Sequence, residues 1–196
     1  MTYAHASAGG EELPRVLQGA ALARDRSAAF EQLLLRYGDA LRRLAAAYER
    51  DEDRREDLLQ DILFALWKAM PAFRGDSSER TFVYRVAHNR ALTHRRREMR
   101  SSAVVPLDDR PDLADRRRGA HETLEVAERR ERLLAAIRRL APGHRQVVLL
   151  RLEDLSNQEI AEVLGTTDNV VAIRLTRARK ALAQLMGGGD LGRTEE

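Results

Sequence analysis

The sequence predicts an all-α fold of two small helical domains joined by a flexible linker. Three observations lead there. Apolar residues recur at helical spacing along most of the chain, while no strand-like alternation holds for more than a few residues. The composition, 33% charged and 43% hydrophobic with 5% aromatic, suits small helical bundles better than a β-sandwich. Between residues 101 and 128 the stripe lapses in a stretch holding Pro106, Pro111, Gly119 and mixed charge.

Each element follows from its pattern. Residues 1–23 show little periodicity and read as a partly disordered arm. The first domain, 24–100, opens with a helix whose apolar face is Phe30, Leu33, Leu34, Tyr37, Leu41, Leu44, Ala45 and Tyr48. A second helix carries Leu58, Leu59, Ile62, Leu63, Leu66 and Trp67 and stops at Pro71, which cannot donate to the helical ladder. After the turn-like RGDSSER, a third helix should run from about Thr81 to Arg97. Residues 101–128 are the linker, because a structureless loop of that length is uncommon inside a compact domain.

The second domain, 129–186, begins with a helix near Glu128–Leu140, broken at Ala141-Pro142-Gly143 and followed by HRQVVLLRLED. Ser156 and Glu159 form a capping-box pattern, so the next helix should start at Asn157. Ile160, Ala161, Val163 and Leu164 supply its inward face, and Gly165 can end it in a left-handed conformation. Thr167 or Asp168 then caps a last helix whose core side is Val171, Leu175, Ala178 and Leu182. Residues 187–196 are a tail.

Composition also excludes. With no cysteine there are no disulfides or thiolate metal sites, and no two histidines stand four apart on one helix face. No metal and no cofactor is therefore expected. No Gly-rich phosphate loop and no nucleophile beside a histidine is evident, so an enzyme is not expected. No run approaches the ~18 apolar residues of a membrane span, and the N-terminus lacks a secretory pattern. A cytoplasmic protein without membrane insertion is expected.

Two faces point to nucleic acid. Leu155–Leu182 reads as a helix-turn-helix, the geometry that lays one helix in the major groove. After Asp168 no acid occurs until Asp190, and acids on this face would repel phosphate. Its outward side presents Asn169, Ala172, Ile173, Thr176 and Arg177, with Arg174, Arg179 and Lys180 alongside. Arg174 and Arg177 can take phosphate or a guanine edge, and Ala172, Ile173 and Thr176 can read thymine methyls. Ile173 could equally pack inward.

The other face lies upstream. Between Arg85 and Arg100 six arginines stand against one acid, with Phe82, Tyr84, His88 and Asn89 interleaved or just before. Such a helix suits a single strand: arginine tracks the backbone, rings stack, and an amide meets an exposed base edge. Periodicity alone favours Phe82 as core, with the arginines a solvated face. From Glu49 to Asp61 the sign reverses, with seven acids and three arginines, which suits a protein partner rather than DNA.

The stretches FEQLLLRYGDALRRLA, EDLLQDILFALWKAMPAFRGDSSERTFVYRVAHNRALTHRRRE and LAPGHRQVVLLRLEDLSNQEIAEVLGTTDNVVAIRLTRARKAL resemble the extracytoplasmic-function group of sigma-70-type bacterial RNA polymerase sigma factors. The resemblance covers both domains in the family's order. It implies that Asp57, Leu58, Gln60 and Asp61 grip the clamp helices of the polymerase β′ subunit, with the β subunit also in contact. It implies that Phe82, Tyr84, Arg85, His88, Asn89, Arg90, Arg95, Arg96 and Arg97 melt and hold the minus-ten element, Asn89 and Arg90 capturing a flipped base. Residues 156–180 would read the minus-thirty-five element, through Asn169, Ala172, Ile173, Arg174, Thr176, Arg177 and Lys180. Core RNA polymerase and promoter DNA are the implied partners, an anti-sigma protein a further one, and the linker would thread near the RNA exit path.

The chain departs from the family at three places. Phe82 stands where a Trp is frequent, Ala172-Ile173 where a Lys-Ser pair is common, and Thr93 where an Asp is frequent. A stand-alone helix-turn-helix regulator is the alternative, but it leaves the acidic helix and the Arg85–Arg100 cluster unused. A helical adaptor would show negligible salt-dependent nucleic-acid binding.

Overall fold

The computed structural model describes residues 15–102 and 124–187, and side chains over 25–100 and 124–187. Most of the arm and the linker, and residues 188–196 of the tail, lie outside the described residues. Within them the chain forms α1 (Arg15–Tyr48), α2 (Glu52–Ala69), a short 3-10 turn (Met70–Ala72), α3 (Glu79–Ser102), α4 (Leu124–Arg139), α5 (Pro142–Leu152), α6 (Asn157–Leu164) and α7 (Asp168–Gly187).

The elements are those the periodicity predicts, with longer ends. α1 starts fifteen residues before Phe30, α3 runs on to Ser102, and α4 begins at Leu124, inside the stretch read as linker. Helix formers such as Leu124, Glu125, Ala127 and Glu128 explain the last difference, since a lapsed apolar stripe does not remove helix propensity. Asp51 caps α2 by accepting from the Arg54 amide at 3.0 Å, and Pro71 falls in the 3-10 turn that ends it.

Two compact units are present, one ending at Gly38 and one beginning at Asp39. The first holds the N-terminal part of α1, where Arg36 donates to the Gln32 carbonyl at 3.3 Å. In the second, the end of α1 buries Leu41, Leu44, Ala45 and Tyr48, α2 buries Leu58, Ile62 and Leu66, and α3 buries Val83, Ala87 and Ala91. Spacings of three and four residues put each set on one helix face. Ile137, Val147, Leu150, Ile160, Val171, Leu175 and Ala178 are the matching core of α4–α7. Leu182, expected inside, is half-buried.

The segments read from sequence as separate domains meet within this second unit. Arg145 is fully buried, with its guanidinium 5.2 Å from the Tyr48 ring. It donates to the carbonyls of Ile137 at 3.1 Å, Leu140 at 3.3 Å and Arg138, closing the end of α4 onto α5. Burial lowers its pKa to about 10, so it stays cationic at neutral pH. Arg138 Nε in turn donates to the Ala46 carbonyl at 3.1 Å.

Candidate nucleic-acid interface

The α6–α7 hinge is built from its own side chains. Ser156 Oγ accepts from the Glu159 amide at 3.2 Å, and Glu159 Oε2 accepts from the Ser156 amide at 2.8 Å, closing the capping box. That backbone amide holds the Glu159 carboxyl below its ordinary value. Gly165 adopts φ 62° and ψ 44°, the left-handed conformation that a side chain makes costly. Thr167 Oγ1 then accepts from the Val170 amide at 3.5 Å, opening α7.

On α7, Val171, Leu175 and Ala178 are buried, while Asn169, Ile173, Thr176, Arg177 and Lys180 are exposed and Ala172 and Arg174 half-buried. Ile173 is 43% exposed, so of its two sequence alternatives the outward one holds. Thr176 Oγ1 donates to the Ala172 carbonyl at 3.0 Å. The Arg174 guanidinium lies along the Gly143 backbone at the start of α5.

On α3 the faces divide differently from the sequence reading. Arg85, Asn89, Arg96 and Arg97 are exposed, and Phe82, Arg90 and Arg95 half-buried. Phe82 packs on Phe73 with ring centroids 4.7 Å apart, the core-like role that periodicity favours. Tyr84 and His88, expected to meet bases, are instead 3% and 1% exposed. The reason is periodicity: positions 84, 88 and 91 lie on the same side of the helix as Val83 and Ala87. His88 Nδ1 pairs with the Tyr48 hydroxyl at 3.3 Å, and burial lowers its pKa to about 3, keeping the ring neutral. Burial likewise pushes the Tyr48 and Tyr84 hydroxyls up to about 12.

On α2, Asp57 and Gln60 are exposed and Asp61 half-buried, bridged to Arg90 at 2.8 Å. Leu58 is fully buried, so it supports the acidic face from inside and offers no contact surface of its own. Arg54 reaches Glu98 at 3.2 Å, a second tie between α2 and α3.

Two features escaped the sequence. The first is a seam between α3 and the helix-turn-helix. Arg43 forks onto Glu153 at 2.8 and 2.6 Å, Arg80 donates to the Glu153 carbonyl and sits 3.7 Å from Glu159, and Arg85 donates to the Glu162 carbonyl at 2.9 Å. Tyr84 donates to Glu153 at 3.4 Å. These partners are 69 to 110 residues apart, and each looks like ordinary surface charge in the sequence. A cleft of about 260 Å³, lined by Leu44, Tyr84, His88, Leu134, Ile137 and Leu149 among others, leaves the seam incompletely packed. The second is a group of Glu49, His94 and Glu98, described below; burial and then Glu98 push the Glu49 carboxyl above its ordinary value. His94 and Glu98 stand four apart in the sequence, a spacing that puts both on one face of α3.

The described residues form an all-α protein with two distinct basic helices, one of them in a helix-turn-helix. Comparison with known proteins narrows the class. Residues 33–101 match the family model for sigma-70 region 2, and residues 130–182 match that for sigma-70, region 4. The ECF RNA polymerase sigma factor SigM of Mycobacterium tuberculosis (strain ATCC 25618 / H37Rv) is 32% identical over 172 residues, covering 87% of this chain and 83% of that protein. The RNA polymerase sigma factor CnrH of Cupriavidus metallidurans is 28% identical over 183 residues, or 90% and 95% of the two chains. The solved structure of CnrH with the cytosolic domain of CnrY aligns with TM-score 0.58 at 27% identity, over 85% and 94% of the chains. The sigma factor RpoE bound to the anti-sigma factor NepR, from Bartonella quintana, shares the fold with TM-score 0.66 at 22% identity, over 81% and 97%.

The chain belongs to the sigma-70 family, in its extracytoplasmic-function group, and is an alternative RNA polymerase sigma factor. Members of this family are sigma factors, not enzymes. The stand-alone regulator is not favoured. Among the described residues no helix is long and apolar enough to cross a membrane.

Proposed function

We propose that the chain binds core RNA polymerase through the exposed acidic side of α2, opens the minus-ten element with α3 and reads the minus-thirty-five element with α7. The observation that supports this best is the separation of charge: Asp57, Gln60 and Asp61 on one helix, Arg85, Asn89, Arg96 and Arg97 on the next, Ile173, Thr176 and Arg177 on a third. Arg90 and Arg95 flank the α3 face, and Asn169, Ala172, Arg174 and Lys180 flank that of α7. Asn89 is the group we assign to an extruded base, with Arg90 beside it. Unstacking costs a few kcal/mol per step, which a pocket for the flipped base offsets. Two weak readers on one polymerase need little affinity each, since the second contact is intramolecular.

In the free chain the readers hold each other. Arg85, a strand-tracking cation, is spent on Glu162, and Tyr84 and His88 face inward. Engagement of polymerase would part α3 from α6, giving the domains 24–100 and 129–186 with 101–128 as the tether between them. We place the protein in the cytoplasm, with core polymerase (β′ clamp helices and β subunit) and promoter DNA as partners. An anti-sigma protein is a further partner, by analogy with RpoE–NepR. Reconstitution tests the reading. Purified chain added to bacterial core polymerase should bind it and give transcripts from a selective subset of a promoter-fragment library. A chain that ignores core polymerase yet shifts duplex DNA would return the stand-alone regulator.

A further inference from the structure

Three helices converge on His94. α1 ends at Tyr48 and presents Glu49 just beyond, α3 supplies His94 and, one turn on, Glu98, and α2 supplies Asp61. His94 Nε2 lies 3.8 Å from Glu49 Oε1 and 3.8 Å from Glu98 Oε1, and Nδ1 lies 3.8 Å from Asp61 Oδ2. These separations are too long for hydrogen bonds. Nε2 is buried and has no hydrogen-bond partner, and Glu49 beside it is only 7% exposed. A buried imidazole nitrogen left without a hydrogen-bond partner is costly unless a third species fills the gap.

We propose that Glu49, His94 and Glu98 are the ligands of one divalent first-row transition-metal ion of the zinc type. Their donor atoms all lie within 4.8 Å of one another. Zinc takes imidazole nitrogen and carboxylate oxygen at about 2.0–2.2 Å, which at tetrahedral angles sets donors roughly 3.3 Å apart. The two 3.8 Å separations close to that value with rotamer adjustments of about half an ångström. One nitrogen with two carboxylates suits zinc and its neighbours, whereas magnesium and calcium take all-oxygen shells. Asp61 lies 3.8 Å from Nδ1, on the side of the ring away from the two glutamates. Three protein ligands leave a fourth position for water.

The surrounding charges permit this. Arg90 is engaged by Asp61, and Arg95 and Arg54 also act on Glu49. Arg54 binds Glu98 through a side chain that is 58% exposed, so it can move to the other carboxylate oxygen when the first ligates. The bound ion would tie the end of α1 to the turn of α3 that carries Arg95, Arg96 and Arg97.

The test uses the full chain, stripped with chelator, and does not depend on polymerase or promoter. Zinc is titrated against a chromophoric chelator, cobalt(II) is followed by visible absorption, and Tm is recorded with rising zinc. One ion per chain is expected, with Tm rising with zinc. At least about a tenfold loss of affinity is expected in His94→Ala and Glu98→Gln, and none in His144→Gln. Circular dichroism establishes that each variant is folded; Glu98→Gln, nearly isosteric, serves if His94→Ala is not. A wild-type chain that takes up no zinc, or one whose affinity is unchanged in both ligand variants, would overturn the site.

Discussion

Arg43 Nε and Nη2 grip Glu153 Oε1 and Oε2 at 2.8 and 2.6 Å, a two-pronged ion pair across 110 residues of sequence. It joins the end of α1 to the turn before α6. Glu153 also receives Arg80 and Tyr84, so one residue gathers three side chains from α1 and α3. Because Arg43 is half-exposed, the pair contributes less than about 1 kcal/mol to stability. Its geometric effect is larger. Glu153→Gln is expected to leave Tm nearly unchanged while increasing the protease sensitivity of residues around the seam and the yield of polymerase complex at limiting chain. An unchanged cleavage pattern would mean that the pair does not hold the seam.

On α2, burial separates two neighbours. Leu58→Ala removes a fully buried side chain and should cost about 2–5 kcal/mol in urea unfolding. Asp57→Ala is exposed and should change stability by less than about 0.5 kcal/mol while weakening binding to core polymerase. Equal polymerase affinity in Asp57→Ala would remove this residue from the contact surface.

The two readers should fail in different ways. Asn89→Ala is expected to reduce promoter opening, seen by permanganate reactivity, more than it reduces duplex binding. Arg177→Ala should weaken binding by about 1–3 kcal/mol on cognate sequence if it meets a base. The same loss on every sequence would make Arg177 a phosphate contact.

His88 gives a pH signature. Its folded pKa of about 3 lies below the ordinary 6.5, so the unfolded chain takes up the proton first. The stability that depends on a neutral His88 is complete above about pH 6.5 and declines as pH falls toward 3, by up to about 1.4 kcal/mol per unit. Glu49, with its raised pKa, works in the opposite sense, favouring the folded chain at low pH. Comparing wild type with His88→Gln cancels that contribution. The stability advantage of wild type should shrink between pH 6.5 and 4.5, and a constant difference would show that His88 titrates as an exposed imidazole.

Local physics made much of this legible in the sequence. The capping box at Ser156, the left-handed Gly165 and the stop at Pro71 depend on neighbours three or four residues away, and each stands where its pattern placed it. The outward face of α7 followed from one core stripe. Other residues were legible but misassigned. Tyr84 and His88 read as DNA-facing because aromatic and imidazole groups among arginines suit a strand, yet their helical spacing with Val83 and Ala87 turns them inward, where the distant Tyr48 and Glu153 meet them. Leu58 was assigned a surface role by its place in a motif, while its position in the Leu58–Ile62–Leu66 stripe puts it inside.

The two readers are proposed to dock on each other in the free chain and to part on polymerase. The chain has no cysteine, so Thr93→Cys and Glu162→Cys, both exposed positions on α3 and α6, can be spin-labelled without background. Electron–electron double resonance should give one narrow distance in the free chain and a longer one once core polymerase is added. A distance that stays short in the polymerase-bound chain, or one already long in the free chain, would contradict this proposal.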